Sequence, residues 1–273
     1  VDNGPCGITT DTMHVTVFNV SAASANAGPD QDLCTPADSA TMAAVAVSLP
    51  SMGTWTVTQG TGTFADVNDP NTLVTGIAPG ITIFTWTVDN GPCGTVSDQV
   101  SIRIFNDTIT SAYAGPDQQL CTPVTSVTLA ATAAPAPAQG TWAILSGTGT
   151  LSDTNAANAV LSGAGIGQTV LTWSVDNGPC SAGLLVDTVV VTIFDGQTQA
   201  AANAGPDQQF CEPGPVDVNM FGNTVVFPAV GTWTTNSDTA VITDPSDNNT
   251  IVTGVGFGST NFTWSIDDGV CGS

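Results

Sequence analysis

Apolar and polar positions alternate most clearly from Ile81 to Val88, where Phe84, Trp86 and Val88 fall on one face and threonines or isoleucine on the other. That alternation predicts a half-buried strand with its Trp86 face turned inward. Short runs rich in Val, Ile, Thr and Trp recur along the chain, separated by Gly, Pro, Asn and Asp clusters, and no segment carries a helical period. The pattern is that of an all-β sandwich. From residue 30 to 105 it predicts strands near 30–34, 40–48, 53–58, 72–76, 81–88 and 98–105, with an irregular stretch around Phe64 to Pro70. Trp55 and Trp86 then lie on the third and fifth strands and share one core. Ala78-Pro79-Gly80 reads as a turn, with Ala164-Gly165-Ile166-Gly167 in the same slot later, and both are scaffold.

The pattern repeats. Ala27-Gly28-Pro29-Asp30 returns at Ala114 and at Ala204, offsets of 87 and 90 residues, and Leu33-Cys34-Thr35-Pro36 returns as Leu120-Cys121-Thr122-Pro123 and, more loosely, as Phe210-Cys211-Glu212-Pro213. Gly53-Thr54-Trp55 with Thr85-Trp86 is matched by Gly140-Thr141-Trp142 with Thr172-Trp173, and by Gly231-Thr232-Trp233 with Thr263-Trp264. A period near ninety residues is domain-sized, so each copy is expected to be a module rather than a solenoid rung. The expected division is 1–21 as the last hairpin and final strand of a preceding repeat, 22–108 and 109–197 as full repeats, and 198–273 as a repeat lacking its final strand. Val1-Asp2-Asn3-Gly4-Pro5-Cys6 matches Val88 to Cys93, so the chain opens inside a copy and closes inside one, as a window on a longer array would.

Composition narrows the function. Of 273 residues, 23 are acidic and one is basic, Arg103, for a net charge of −22. With no cationic patch to displace counterions, nucleic acid and anionic membranes are excluded as partners. No apolar run reaches the length of a membrane span, and no membrane insertion is expected. Charged residues are only 9% of the chain, so the surface is mostly Thr, Ser, Asn, Gln and Gly. Such a surface suits an exposed extracellular chain.

Ala-Gly-Pro-Asp-Gln opening a sandwich, Gly-Thr-Trp in its middle and Thr-Trp-x-Val-Asp-Asn-Gly-Pro-Cys near its end resemble the PKD-like and immunoglobulin-like repeats of very large Bacteroidetes surface proteins, especially gliding-motility adhesins of the SprB type exported by type IX secretion. The resemblance covers nearly the whole chain. It implies tandem seven-strand sandwiches in a linear array at the cell surface, in a filament or adhesin for attachment or gliding. The third copy departs from the pattern at Phe210, Glu212 and Asp267-Asp268-Gly269-Val270.

Seven cysteines, Cys6, Cys34, Cys93, Cys121, Cys180, Cys211 and Cys271, fall two to a repeat, which in an exported chain means disulfides. Two pairings are open. Within a copy, Cys34–Cys93, Cys121–Cys180 and Cys211–Cys271 close loops of immunoglobulin length. Yet Cys34 ends the first strand and Cys93 lies in the last hairpin, sites at opposite ends of a sandwich, whereas bridged Cα atoms must lie within about 7 Å. Bonds between successive copies, Cys34–Cys180 and Cys121–Cys271, avoid that difficulty, and the balance leans slightly to them. No cysteine pair has the close spacing of a zinc site.

Catalysis finds few parts. The one histidine, His14, has no match in later copies, and there is no lysine. Nucleophilic, Schiff-base and phosphate chemistry therefore lack essential groups, and the acids sit in turns of small modules, so no enzyme is expected. Asp30, Asp117 and Asp207 open the copies while Asp89, Asp176 and Asp267 approach the last hairpins, and both sets are expected at one end of the sandwich. They are either turn formers or oxygen ligands for calcium, the one cofactor the pattern allows, at the junctions. Thr12, Ser39, Thr108, Thr188 and Thr239 each follow an aspartate and precede a small or apolar residue, resembling the Bacteroidetes O-glycosylation signal.

Residues 8–20 read as a last strand with no sandwich of its own, while the last copy lacks one. A head-to-tail donor-strand polymer would complete both, and a plain excerpt of a longer chain accounts for the same facts. The expected partners are neighbouring repeats of the array, other copies of the filament, and an external surface or polysaccharide. The expected role is structural and adhesive; the alternative is a carbohydrate-binding or spacer region of a secreted hydrolase.

Overall fold

The computed structural model of the chain describes residues 5, 8–18, 24–124, 126–196 and 200–271. Two compact units form, one from Val1–Thr110 with Pro135–Gln139 and Asp176–Leu184, the other from Ser111–Ala134 with Gly140–Val175 and Leu185–Ser273. Among the described residues the regular structure is all strand, apart from three-residue 3-10 turns.

The first unit contains β1 (Gln31–Cys34), β2 (Ser39–Thr41), β3 (Met52–Gln59), β4 (Thr63–Phe64), β5 (Leu73–Thr75), β6 (Gly80–Asp89) and β7 (Thr95–Phe105). They divide into two sheets, β1-β7-β6-β3 and β2-β5-β4. The third, sixth and seventh strands in one sheet and the second, fifth and fourth in the other is the immunoglobulin arrangement. β1 adds to β7 in parallel, with Cys34 opposite Phe105.

The alternation in β6 is realised: Phe84, Trp86 and Val88 are fully buried with Trp55, Ile102 and Ile104. The second strand is shorter than the expected 40–48. Beyond Thr41 the amides of Met42 and Ala44 bond to the carbonyls of Thr72 and Pro70, but Pro70 has no N–H to return the bond, so the ladder stops. β4 begins at Thr63, just ahead of the expected irregular stretch, and pairs with β5.

The Gly-Thr-Trp motif has a packing reason. Trp55 faces Trp86 across β3 and β6, ring centroids 5.0 Å apart, and the Trp86 ring continues diagonally over Gly53. A Cβ on Gly53 would stand 1.9 Å from Trp86 Cζ2; Gly140 beneath Trp173 and Gly231 beneath Trp264 leave 2.0 and 2.2 Å. Glycine is therefore fixed there by space, not by its backbone angle.

The second unit carries the strands of the next two copies. β8 (Gln118–Cys121), β9 (Ser126–Thr128), β10 (Gln139–Ser146), β11 (Thr150–Leu151), β12 (Val160–Ser162), β13 (Gly167–Asp176) and β14 (Leu185–Phe194) repeat the two sheets as β10-β13-β14-β8 and β11-β12-β9. The third copy has β15 (Val216–Asn219), β16 (Val230–Thr235), β17 (Val241–Ile242), β18 (Ile251–Val255) and β19 (Phe262–Asp267), in a three-stranded sheet β15-β18-β17 and a two-stranded sheet β16-β19. Its core holds Trp233, Trp264, Val252 and Met220. One edge of β19 is open, where β6 and β13 each have a neighbour on both sides.

Residues 9–18, expected as a final strand, belong to no sheet. Met13, Val15 and Val17 are 85%, 73% and 79% exposed. Of the expected segment 1–21, residues 1–4, 6–7 and 19–21, Cys6 among them, lie outside the described residues.

Candidate functional site

The opening motif of the first two copies is a clasp on the last strand. Asp98 of β7 accepts the Ala27 amide at 2.8 Å, and Asp30 accepts the Ser101 amide of β7 at 2.8 Å. Asp187 and Ala114, and Asp117 and Val190, repeat both bonds in the second copy. Gly28 between them has φ +86, and a Cβ there would stand 2.5 Å from the Ala43 carbonyl oxygen. Among the described residues Ala204 and Asp207, the third copy's counterparts, make no such bonds to a strand.

The register of β7 places the two groups of aspartates far apart. Asp30 bonds to Ser101 whereas Asp89 pairs with Thr95, six strand residues or about 20 Å away. The expectation that both sets lie at one end of the sandwich is therefore corrected. Asp89, Asp176 and Asp267 instead each accept the amide two residues on, from Gly91, Gly178 and Gly269, at 2.8–2.9 Å. That is turn chemistry. Among the described residues no three acidic, histidine or cysteine side chains converge as a metal site.

Parallel pairing of β1 with β7 sets the cysteines. Cys34 sits at the Phe105 end of the eleven-residue β7, and Cys93 lies in the 3-10 turn Gly91–Cys93 beyond the other end, about 30 Å off. Cys34 is bonded to Cys180, with Cα atoms 5.6 Å apart, and Cys121 to Cys271, 5.4 Å apart. Each bond joins the end of a first strand in one copy to the Gly-x-Cys turn of the following copy. Cys93 and Cys211 are free thiols and exposed.

Around each bond the same side chains meet. Phe105, at the end of β7, covers Gly178 of the turn Gly178–Cys180, and Phe194, at the end of β14, covers Gly269 of the turn Gly269–Cys271. Each glycine has φ near +55 and no space for a Cβ: the ring carbons would be 2.6 and 2.4 Å away. Phe18 covers Gly91 in the same manner. Asn177, fully buried, donates from Nδ2 to the Asn106 carbonyl oxygen at 2.8 Å. These phenylalanines were not singled out from sequence, although Phe18, Phe105 and Phe194 recur at nearly the period of the array and would have betrayed themselves by it.

The remaining candidates are scattered. Thr12, Ser39, Thr108, Thr188 and Thr239 are all exposed, Ser39 and Thr188 within strands. Exposed His14 lies in the segment 9–18 outside the sheets. Arg103 bonds Asp32 through both Nε and Nη2, at 2.6 and 2.8 Å, which holds its guanidinium above the ordinary value. A cleft of roughly 310 Å³ in the third copy, lined by Val225, Ala229, Val230, Ser246, Asn248 and Trp264 among others, contains no titratable side chain.

No protein-family model matches the chain and no curated protein matches it. Among solved structures it is similar to an I-band fragment of titin, at 13% identity over 86% of this chain and 89% of that one, TM-score 0.34. It is similar to Dpr2 Ig1-Ig2 in complex with DIP-Theta Ig1-Ig3, at 10% identity over 88% and 95%, TM-score 0.44. The PKD domain of KIAA 1837 protein matches 36% of this chain and 93% of its own length at 24% identity, TM-score 0.26. The immunoglobulin-like class rests on the chain's own strand order and register.

Proposed function

We propose that the chain is a structural and adhesive repeat region of an extracellular filament or cell-surface adhesin, non-catalytic, acting through covalently chained immunoglobulin-like modules. The observation that carries this is the junction: a disulfide, a phenylalanine on a glycine and a recurrent turn join one copy to the next, twice. Disulfides persist in oxidising compartments, which supports an exported protein. A junction built this way transmits tension through covalent bonds. A role in surface attachment or gliding at the surface of a Bacteroidetes cell follows from the likeness of the repeats in sequence, with an external surface or polysaccharide as the partner.

All six tryptophans are buried in module cores, so none is free to stack on a sugar. That favours the structural reading over a carbohydrate-binding region of a secreted hydrolase; retention of the chain on polysaccharide columns would reverse the preference.

Single-molecule stretching from both termini tests the tensile role. The Cys34–Cys180 and Cys121–Cys271 bonds interlace, so the taut path from Cys34 to Cys271 is the 59 residues from 121 to 180 in place of 237, shorter by about 600 Å of extended chain. The oxidised chain is expected to stop short of the reduced one by that length. Equal extension with and without reductant overturns the proposal.

A further inference from the structure

Asn177-Gly178 is a chemically fragile pair held where it does not react. An asparagine followed by glycine loses its side-chain amide when the glycine nitrogen attacks the side-chain carbonyl carbon, because glycine has no side chain to obstruct the approach. Ring closure requires the attacking nitrogen to be turned beneath the asparagine side chain and free of its own hydrogen bond. A donor to the charge growing on Oδ1 hastens it.

Each of these is withheld at the first junction. Asn177 has ψ 29, which turns the Gly178 nitrogen nearly opposite the Cα–Cβ bond of Asn177. The Gly178 N–H donates to Asp176 Oδ1 at 2.9 Å. Asn177 is fully buried, its Nδ2 is tied to the Asn106 carbonyl oxygen at 2.8 Å, and its Oδ1 has no donor among the described residues. The Phe105 ring lies on Gly178, and Cys180, two residues on, is bonded to Cys34. The Asn177 torsion therefore cannot swing into the reactive range without lifting the turn off the end of β7. The third copy has Asp268 at the position of Asn177, with the Gly269 N–H on Asp267 Oδ1 at 2.9 Å, Phe194 over Gly269 and Cys271 bonded to Cys121. Aspartate, one product of amide loss, is thus compatible with a closed junction.

We propose that Asn177 is a deamidation site gated by its junction, silent while Phe105 and Cys34 clasp the turn Gly178–Cys180 and reactive once the junction opens. The Gly178 nitrogen bonds to Asn177 Cγ, the Cγ–Nδ2 bond breaks, and ammonia leaves with the proton from Gly178. Water then opens the cyclic imide. Attack at Cγ gives aspartate, whereas attack at the main-chain carbonyl gives isoaspartate, which routes the backbone through the side chain and adds a methylene to it. The aspartate product closes again, as the third copy does. The isoaspartate product displaces Cys180 from Cys34, and a bridge needs Cα atoms within about 7 Å, so that junction stays open. Opening becomes a one-way event recorded in the chain.

The test compares whole chains, alkylated at their free thiols and held at mildly alkaline pH, with and without Cys34→Ser/Cys180→Ser. Peptide mapping measures aspartate and isoaspartate at position 177 and, as an internal control, at Asn90, which sits in the same Asp-Asn-Gly-Pro-Cys turn outside that bond. Loss of the bond is expected to speed conversion of Asn177 roughly tenfold or more, since reaction through a rare open state scales with its population, and to leave Asn90 unchanged. Asp176→Ala, which frees the Gly178 N–H with the disulfide in place, is expected to speed Asn177 severalfold. In wild-type chains aged with dithiothreitol and then reoxidised, Cys34–Cys180 should return only in molecules without isoaspartate at 177. Equal rates at 177 with and without the bond, acceleration of Asn90 by the same factor, or a re-formed Cys34–Cys180 bond in isoaspartyl chains overturns the proposal. It rests on the junction of the function proposed above, but any of those results in a chain that still stops short under load refutes the gating alone.

Discussion

Phe105 lies over Gly178 so closely that a Cβ at position 178 would meet ring carbon Cζ at 2.6 Å. The glycine is required twice, for that contact and for its φ of +53. Gly178→Ala is expected to cost about 1 kcal/mol in backbone strain and about 1–3 more in overpacking. Gly163→Ala, at φ +70 with open space around it, should cost only the first part. Urea unfolding of the two variants compares them, and combining Gly178→Ala with Phe105→Ala should remove the excess, since neighbours that clash are not additive.

Gly53 beneath Trp86 makes a purely steric prediction. Gly53→Ala is expected to destabilise the first sandwich by about 3 kcal/mol, the upper range for an overpacked core, because the tryptophan must leave its place between Trp55 and the backbone. Near-ultraviolet circular dichroism, which reports the packing of the tryptophan pair, should change in the same variant.

Reduction should weaken the chain strongly. The bonds close loops with separations of 146 and 150 residues, for which the chain-entropy account gives about 5 kcal/mol each. Guanidinium unfolding of the oxidised chain against the Cys34→Ser/Cys180→Ser variant measures the first bond alone.

Calcium should leave stability unchanged. Asp30 and Asp117 each hold an amide of the last strand, Asp89, Asp176 and Asp267 each hold an amide of their own turn, and no group of three acids converges among the described residues. Melting temperatures in EDTA and in millimolar calcium are expected to coincide; a rise with calcium would place ligands where none gather.

Asp244 should titrate below the ordinary aspartate range, because Ser246 donates to its carboxylate from both Oγ and the backbone amide. A carboxyl whose folded value is depressed contributes its stabilisation above the unfolded value and loses it as pH falls through the folded one. Carbon-detected titration of Asp244 should find the low value, and Ser246→Ala should move it back up.

Alternation and periodicity were enough to specify the sandwich. Phe84, Trp86 and Val88 had to face one core because side chains of a strand alternate, and the recurrence of Trp55 with Trp86 in every copy named the pair at its centre. Motif spacing also announced the modules, and the copy-by-copy placement of cysteines limited their pairings to two. What the linear order left undecided was where β1 lies. Only its parallel register on β7 carries Cys34 to the Phe105 end of the strand, away from Cys93 and beside Cys180, and only that register separates Asp30 from Asp89. The glycines of the Gly-Thr-Trp and Asn-Gly-Pro motifs were visible in sequence, but their cause was not, because each is fixed by an aromatic ring that folding brings from a distant strand. Local pattern determines which residues face inward; long-range pairing decides which strands, and so which cysteines, meet.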